Sequence, residues 1–304
     1  MNAIEVTSLS KIFTKKLTQK VQALRDVSFT VGEGDVLGFI GPNGAGKSTT
    51  IKILMGLLRP DAGETQFFGR KSNDPAARLK VGYLAENPAY YDYLTPRELL
   101  QFVGWNFAVQ ETLLRERVQQ VLHLIELEHA ADRPIRSLSK GMVQRIGLGQ
   151  TLVHDPDLYI LDEPMSGLDP LGRSLFADII MDLKRRGKTV FFSTHIINDV
   201  ERICDKAVVL LDGVLKFSGP IRDVVDESFS RYEVVLRKLP AEKIPGIHAV
   251  AAQIIQESDN TKLFVQKEML GKFLRGITDR AEILSVEPER RTLEQIFLEL
   301  IKDR

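Results

Sequence analysis

One run of residues constrains this chain more than any other: Asp35-Val36-Leu37-Gly38-Phe39-Ile40-Gly41-Pro42-Asn43-Gly44-Ala45-Gly46-Lys47-Ser48-Thr49-Thr50. Val36 to Ile40 is a short apolar segment that reads as a buried strand. The chain then turns through three glycines and enters Lys47-Ser48-Thr49-Thr50-Ile51-Lys52-Ile53-Leu54, which has helical periodicity. Gly41-x-x-x-x-Gly46-Lys47-Ser48 is the P-loop, or Walker A, pattern in the strand–loop–helix setting that it requires. Glycines let the backbone wrap closely, so successive N–H groups face inward as an anion-binding nest at a helix N-terminus. Gly41 to Thr49 therefore reads as a phosphate cradle, with the Lys47 ammonium placed for the β- and γ-phosphates. The Ser48 hydroxyl can ligate Mg²⁺. The pattern predicts binding of a nucleoside triphosphate.

At 304 residues the chain can bury a substantial core, as one large domain or two. Basic and acidic side chains number 41 each, so the net charge is zero. That balance offers nucleic acid no basic excess to bind, and none is expected as a partner. The single cysteine, Cys204, excludes an intramolecular disulfide, fits a reducing compartment and reads as a buried structural thiol. Met1 to Val6 shows no basic region followed by an apolar one. No apolar run approaches the roughly 20 residues of a membrane span. These features predict a soluble, cytosolic chain.

Ile4 to Val31 alternates apolar and polar residues and reads as two or three strands of an antiparallel β-region. Within it, the Phe13 ring either stacks on a purine or fills a strand edge. Strands follow at Glu64 to Phe68 and Val81 to Leu84. Thr95, Pro96 and Glu98 form a capping box with proline in the first turn, and helical character then runs to about His154, broken at Asp132-Arg133-Pro134. This block, about 95–155, sits within an alternating β/α pattern and reads as an inserted helical subdomain. A strand at Leu158 to Leu161, a helix at Leu171 to Arg186 stopped by Gly187, and a strand at Thr189 to Ser193 come next. Ala207 to Leu211 and Val214 to Phe217 form a hairpin through Asp212-Gly213. Residues 1–225 thus read as one α/β domain. Residues 230–304 read as a small α+β accessory domain for docking or dimerisation. Its elements are a strand at Tyr232 to Arg237, two strands joined at Asp259-Asn260, a helix at Met269 to Ile277, a strand at Ile283 to Val286 and a helix at Leu293 to Ile301.

Leu158-Tyr159-Ile160-Leu161 followed by Asp162-Glu163 is the Walker B pattern. Neighbouring residues at a strand end point in different directions, so two adjacent carboxylates can take two roles. Asp162 can hold Mg²⁺ while Glu163 acts as general base on an attacking water. Just upstream lies Leu138-Ser139-Lys140-Gly141-Met142-Val143-Gln144-Arg145. Read alone, Ser139 is a helix N-cap. Together with the P-loop and Walker B, this stretch resembles the nucleotide-binding subunits of ABC transporters, whose signature reads Leu-Ser-Gly-Gly-Gln. Leu138, Ser139 and Gly141 match; Lys140 and Met142 depart.

The resemblance runs over residues 4 to 220, in the family's order. It implies a P-loop NTPase core with an antiparallel β-subdomain and an inserted helical subdomain. It implies that Ser139, Lys140, Gly141 and Met142 cap the γ-phosphate of an ATP held by another subunit. Ser166-Gly167-Leu168-Asp169 resembles the D-loop that lines the dimer interface, and His195 resembles the switch histidine on the γ-phosphate. Phe13 matches the aromatic that stacks on adenine. Glu86 stands where the family's Q-loop carries glutamine; an ionised carboxylate offers oxygen toward Mg²⁺ but cannot donate a hydrogen bond. His123, His129, His154 and His248 show no ligand spacing and read as structural.

The activity implied is ATP hydrolysis by an in-line water, in a head-to-tail homodimer whose two sites each use both chains. The role implied is energy coupling for transport by a separate integral membrane permease, with this chain peripheral on the inner face of the cell membrane. The tail, with Leu293-Glu294-Gln295-Ile296-Phe297, resembles the extension on ATPase subunits of drug and polysaccharide exporters, which favours export. The alternative is a soluble ABC-type ATPase acting on ribosomes or DNA. A single P-loop, no long heptad run and no basic excess weigh against it.

Overall fold

The computed structural model describes residues 1–15, 19–222, 231–237, 251–256, 260–277 and 281–288. The chain divides into two compact units, Met1–Ile221 and Arg222–Arg304.

The first unit opens with two long strands, β1 (Asn2–Lys15) and β2 (Gln19–Gly32), paired antiparallel along most of their length. The β-region expected from the alternation is thus two strands rather than three. Next come β3 (Val36–Ile40), α1 (Lys47–Leu54), β4 (Ala62–Phe67), β5 (Arg70–Lys71), α2 (Pro75–Arg78) and β6 (Val81–Leu84). Three helices follow, α3 (Pro96–Asn106), α4 (Glu111–Leu124) and α5 (Lys140–Leu152). The unit then alternates β7 (Leu158–Leu161), α6 (Pro170–Arg185), β8 (Thr189–Thr194) and α7 (Ile197–Ile203), and ends in the hairpin of β9 (Lys206–Leu211) and β10 (Val214–Pro220). Asp212 and Gly213 both have positive φ, 49° and 76°, as a two-residue hairpin turn of this hand requires.

These strands build two sheets. One is antiparallel, in the order β2-β1-β4-β5, and the other runs β10-β9-β3-β8-β7-β6. In the second, β9, β3, β8, β7 and β6 are mutually parallel, and only β10 runs against its neighbour. Parallel strands are covered on both faces, which is why β3, β7 and β8 are buried at every position and read as unbroken runs rather than alternations. The rings of Phe29 on β2, Phe39 on β3 and Phe191 on β8 meet at centroid distances of 5.3–5.9 Å and tie the two sheets into one core. The adjacent carboxyl ends of β3, β8 and β7 lie on one edge, where ligands bind in open α/β sheets.

The capping box at the start of α3 is formed. Thr95 Oγ1 accepts from the Glu98 N–H at 3.2 Å, and Glu98 Oε2 accepts from the Thr95 N–H at 2.8 Å. The helical block is broken more often than its sequence announces. α3 stops at Ala108 (φ 53°) and α4 at Glu126 (φ 55°), each with the N–H one residue further on reaching back five residues, Val109 to Gly104 O and Leu127 to Leu122 O. These are Schellman stops whose left-handed residue is not glycine, so no punctuation marks them in the sequence.

His154, just beyond α5, stacks on Phe107 at the end of α3, with ring centroids 3.7 Å apart. Its Nε2 lies 3.4 Å from Val81 O, and among the described residues its buried Nδ1 has no partner. Burial pushes its pKa down from 6.5 to about 4; Val81 O and Asp155 oppose the shift, and Arg117 and Lys188 add to it. The unfolded chain therefore takes up this proton first, so stability is full above the ordinary histidine pKa and falls as pH drops toward 4. Thermal unfolding at pH 5 is expected to come at lower temperature than at pH 7, by a difference worth on the order of 1 kcal/mol. His154→Gln should flatten that dependence.

The second unit contains β11 (Arg231–Arg237), β12 (Ala251–Gln256), β13 (Asn260–Gln266), α8 (Leu270–Ile277) and β14 (Ile283–Pro288). Its sheet is antiparallel, in the order β12-β13-β11-β14. Val234, Leu236, Leu263 and Val265 on one face pack with Phe273 and Ile277 of α8 as a separate core. The helix expected over Leu293 to Ile301 lies outside the described residues, as does Asp259 of the expected turn.

Candidate functional site

The loop between β3 and α1 is shaped by what packs behind it. A Cβ on Gly41 would lie 2.4 Å from Leu210 O, and one on Gly46 (φ 109°) only 2.6 Å from Ala23 O. Gly44 (φ 83°) is the opposite case, because a Cβ there would meet nothing within 4 Å. The loop is thus pressed against β2 and β9 on one side and left open on the other. The open side is a cavity of about 290 Å³ lined by Asn43, Gly44, Gly46, Lys47, Ser48 and Thr49 from the loop, with Ala23, Glu86 and Glu163 around it.

Lys47 is buried. Its Nζ donates to Gly41 O at 2.7 Å, approaches Pro42 O at 3.4 Å and lies 3.1 Å from Glu163 Oε1. Glu163 is held with φ 48°, a strained value for a side chain of its size, and its N–H donates to Ser193 Oγ at 2.9 Å. Its Oε2 lies 2.9 Å from His195 Nδ1. A carboxylate can only accept, so Nδ1 carries the proton. The other oxygen, Oε1, is buried and among the described residues makes no well-formed hydrogen bond; the nearby lysine charge is its compensation. Glu163 lines the cavity, so once Lys47 turns away from Oε1 that oxygen can accept a proton from a water.

Asp162 is also buried, and its Oδ1 accepts from Ser193 Oγ at 2.6 Å and from Ser48 Oγ at 3.3 Å. Burial raises its pKa; the two serine hydrogen bonds pull it back, and the charges of Glu86 and Glu163 push it further up. Across β6, burial takes Tyr83 up to about 12, with the Asp162 charge adding to the shift. Ser48 and Asp162 form an all-oxygen set that suits a hard cation such as Mg²⁺. Among the described residues no three His, Cys, Asp or Glu side chains converge as a cage. The donor set therefore fits a cation that takes its remaining ligands from phosphate and water.

The other expected residues lie apart from this cradle. Ser139 caps α5 by accepting from the Met142 N–H at 3.2 Å, the role its sequence position alone gives it. Asp169 caps α6 in the same way, accepting from the Gly172 N–H at 2.9 Å. The signature and D-loop segments are neighbours. A Cβ on Gly141 would sit 3.8 Å from Leu168, and one on Gly167 would sit 3.3 Å from Lys140 Nζ. Neither Ser139 to Met142 nor Ser166 to Asp169 lines the cavity, and Phe13, exposed on β1 opposite Val21 with Lys11 Nζ 5.7 Å from its ring, does not either.

Two contributors were not singled out from the sequence. Ser193 bridges Asp162 and Glu163, and the signal was a polar residue closing an otherwise apolar strand two positions before His195. Buried Gln144 donates to Pro164 O at 3.1 Å and fastens the signature helix to the Walker B turn.

Comparison with known proteins fits this geometry. The family model described as ABC transporter matches residues 24–166. An uncharacterised ABC transporter ATP-binding protein of Synechocystis sp. is 37% identical over 100% of this chain and 86% of its own length. The Nod factor export ATP-binding protein I of Ralstonia nicotianae is 38% identical over 90% of this chain and 87% of its own. Among solved structures, an ATP-binding subunit of an ABC transporter covers 73% of this chain and 91% of its own at 34% identity, with a TM-score of 0.67. A dimeric ATP-binding cassette in a post-hydrolysis state, bound to ADP and Pi, covers 72% and 99% at 26% identity, with a TM-score of 0.66. On its sequence, its fold and the arrangement of its P-loop and Walker B residues, the chain belongs to the ATP-binding proteins of ABC transporters.

Proposed function

We propose that this chain hydrolyses ATP and couples that reaction to transport by a separate integral membrane permease, in the direction of export. The observation that carries the hydrolytic part is Glu163, set between Lys47 and His195 at the edge of the cradle. ATP lays its phosphates on the N–H groups of Gly41 to Thr49, and its adenine on Phe13. Lys47 turns from Glu163 toward the β- and γ-phosphates. Glu163 then accepts the proton of the attacking water, with His195 holding the carboxylate in place. Mg²⁺, held by Ser48 and Asp162, would supply charge neutralisation of the phosphates.

The signature and D-loop segments serve a second copy. They form one contiguous patch away from the chain's own cavity, which supports a head-to-tail homodimer in which Ser139 to Met142 of each chain close the other's ATP. The dimeric state of the solved cassette bound to ADP and Pi supports the same arrangement. The lean to export rests on similarity along 90% of the chain to a protein named for Nod factor export. None of the described helices is long and apolar enough to cross a membrane, so a span would come from a partner. The chain then sits on the inner face of the cell membrane through that partner. No observation favours the ribosome or DNA reading.

An apolar groove of about 590 Å³ between the segment after β6 and helix α3, lined by Pro88, Tyr90, Tyr91, Leu99, Phe102 and Val103, is the surface we assign to the permease. The test is affinity recovery of the tagged chain from gently solubilised native membranes. An integral membrane protein in stoichiometric amount is expected with the natural sequence. Phe102→Asp, at an exposed position, should cut its recovery by about tenfold. Recovery with ribosomes, or with no membrane protein, would contradict the proposal.

A further inference from the structure

Glu86 and Glu163 line a cavity built for a polyanion, Asp162 lies next to it on Ser48, and the three carboxylates are not equally compensated. Asp162 is held by Ser193 and Ser48, and Glu163 by Lys47 and His195. Glu86 lines the same cavity and is exposed, and among the described residues it has no hydrogen bond and no ion pair. Among the described residues, Lys47 is the one cationic residue lining the cavity, and its charge already faces Glu163. With two acids and one base among its lining residues, the cavity carries an excess of negative charge, and Asp162, hydrogen-bonded to Ser48, adds to it. A triphosphate arriving without a cation meets net repulsion from these side chains, even though the loop N–H groups attract it.

We infer that Glu86 makes nucleotide binding depend on a divalent cation, by repelling the bare triphosphate and accepting the cation-bound one. This rests on the reading of the cradle as an ATP site and adds to it a selection between two forms of the same nucleotide. A neutral residue at position 86 would leave the N–H nest and Lys47 free to hold either form. A carboxylate there adds repulsion for one form and an oxygen, direct or through water, for the other. The effect is electrostatic and acts across a partly solvated cavity, so it is modest and screened by salt.

The experiment measures equilibrium binding of a non-hydrolysable ATP analogue to the full chain, once in excess EDTA and once in excess Mg²⁺. It compares the natural sequence with Glu86→Gln and Glu86→Asp. The ratio of the two affinities is expected to fall about fivefold in Glu86→Gln, mainly because metal-free binding tightens, and to be kept in Glu86→Asp. The fall should shrink in high salt. An unchanged ratio in Glu86→Gln, with binding intact, would overturn the role of Glu86 and leave the ATP site standing. Absence of binding by the natural sequence in both conditions would instead overturn the ATP reading and this inference with it.

Discussion

Glu163→Gln is expected to lower the rate of ATP hydrolysis by at least about a hundredfold, the range lost when a positioned general base is removed. The amide is isosteric and can still accept from His195 Nδ1 at the position of Oε2, so the site keeps its shape. What it cannot do is take a proton from water. The same change removes the charge that faces Lys47 at 3.1 Å and leaves that ammonium without its acidic partner until phosphate arrives. ATP affinity should therefore rise while turnover falls, a split that simple misfolding would not produce. Phosphate release and nucleotide binding, measured on the same preparation, check both halves. Turnover within a few-fold of the natural sequence would remove Glu163 from the role of base.

Gly46→Ala is expected to cost about 2–4 kcal/mol of stability and to abolish nucleotide binding. The residue caps α1 with φ 109° and ψ 0°, which a side chain adopts only under strain. The added methyl would also lie 2.6 Å from Ala23 O and 2.8 Å from Leu24, so β2 must move or the loop must open. Gly44→Ala is the comparison. Its φ is also positive, at 83°, but the methyl meets open space, so the stability loss should stay near 1 kcal/mol. Because that space is the cavity, Gly44→Ala should still weaken nucleotide binding. Chemical denaturation of the two variants separates the causes.

The parts of this site that share one stretch of chain were legible before the fold was known. Gly41 to Ser48 carries its own strand, turn and helix, and Thr95 with Glu98 carries its own cap. What the residues could not announce was long-range pairing. That β3, β8 and β7 lie side by side, although more than a hundred residues separate β3 from the other two, follows from burial of whole strands rather than any local signal. It is this order that brings Ser193 onto Asp162 and His195 onto Glu163. The stops of α3 and α4 were hidden for a different reason. Ala108 and Glu126 adopt a conformation that sequence punctuation reserves for glycine, and the back-bonds of the turn compensate for it. Ser139 shows a third limit. Its hydroxyl oxygen accepts from the Met142 N–H and its O–H stays free to donate, but a second chain's phosphate for it to meet is a surface that one chain cannot display.

The most direct test of the account is the steady-state rate of Mg²⁺-dependent phosphate release from ATP, per chain, as the protein concentration is raised. A site shared between two copies predicts release that is lost in Glu163→Gln, with a rate per chain that climbs with concentration and then levels off. No release at any concentration, or a rate per chain that is the same throughout with the chain remaining a monomer, would contradict it.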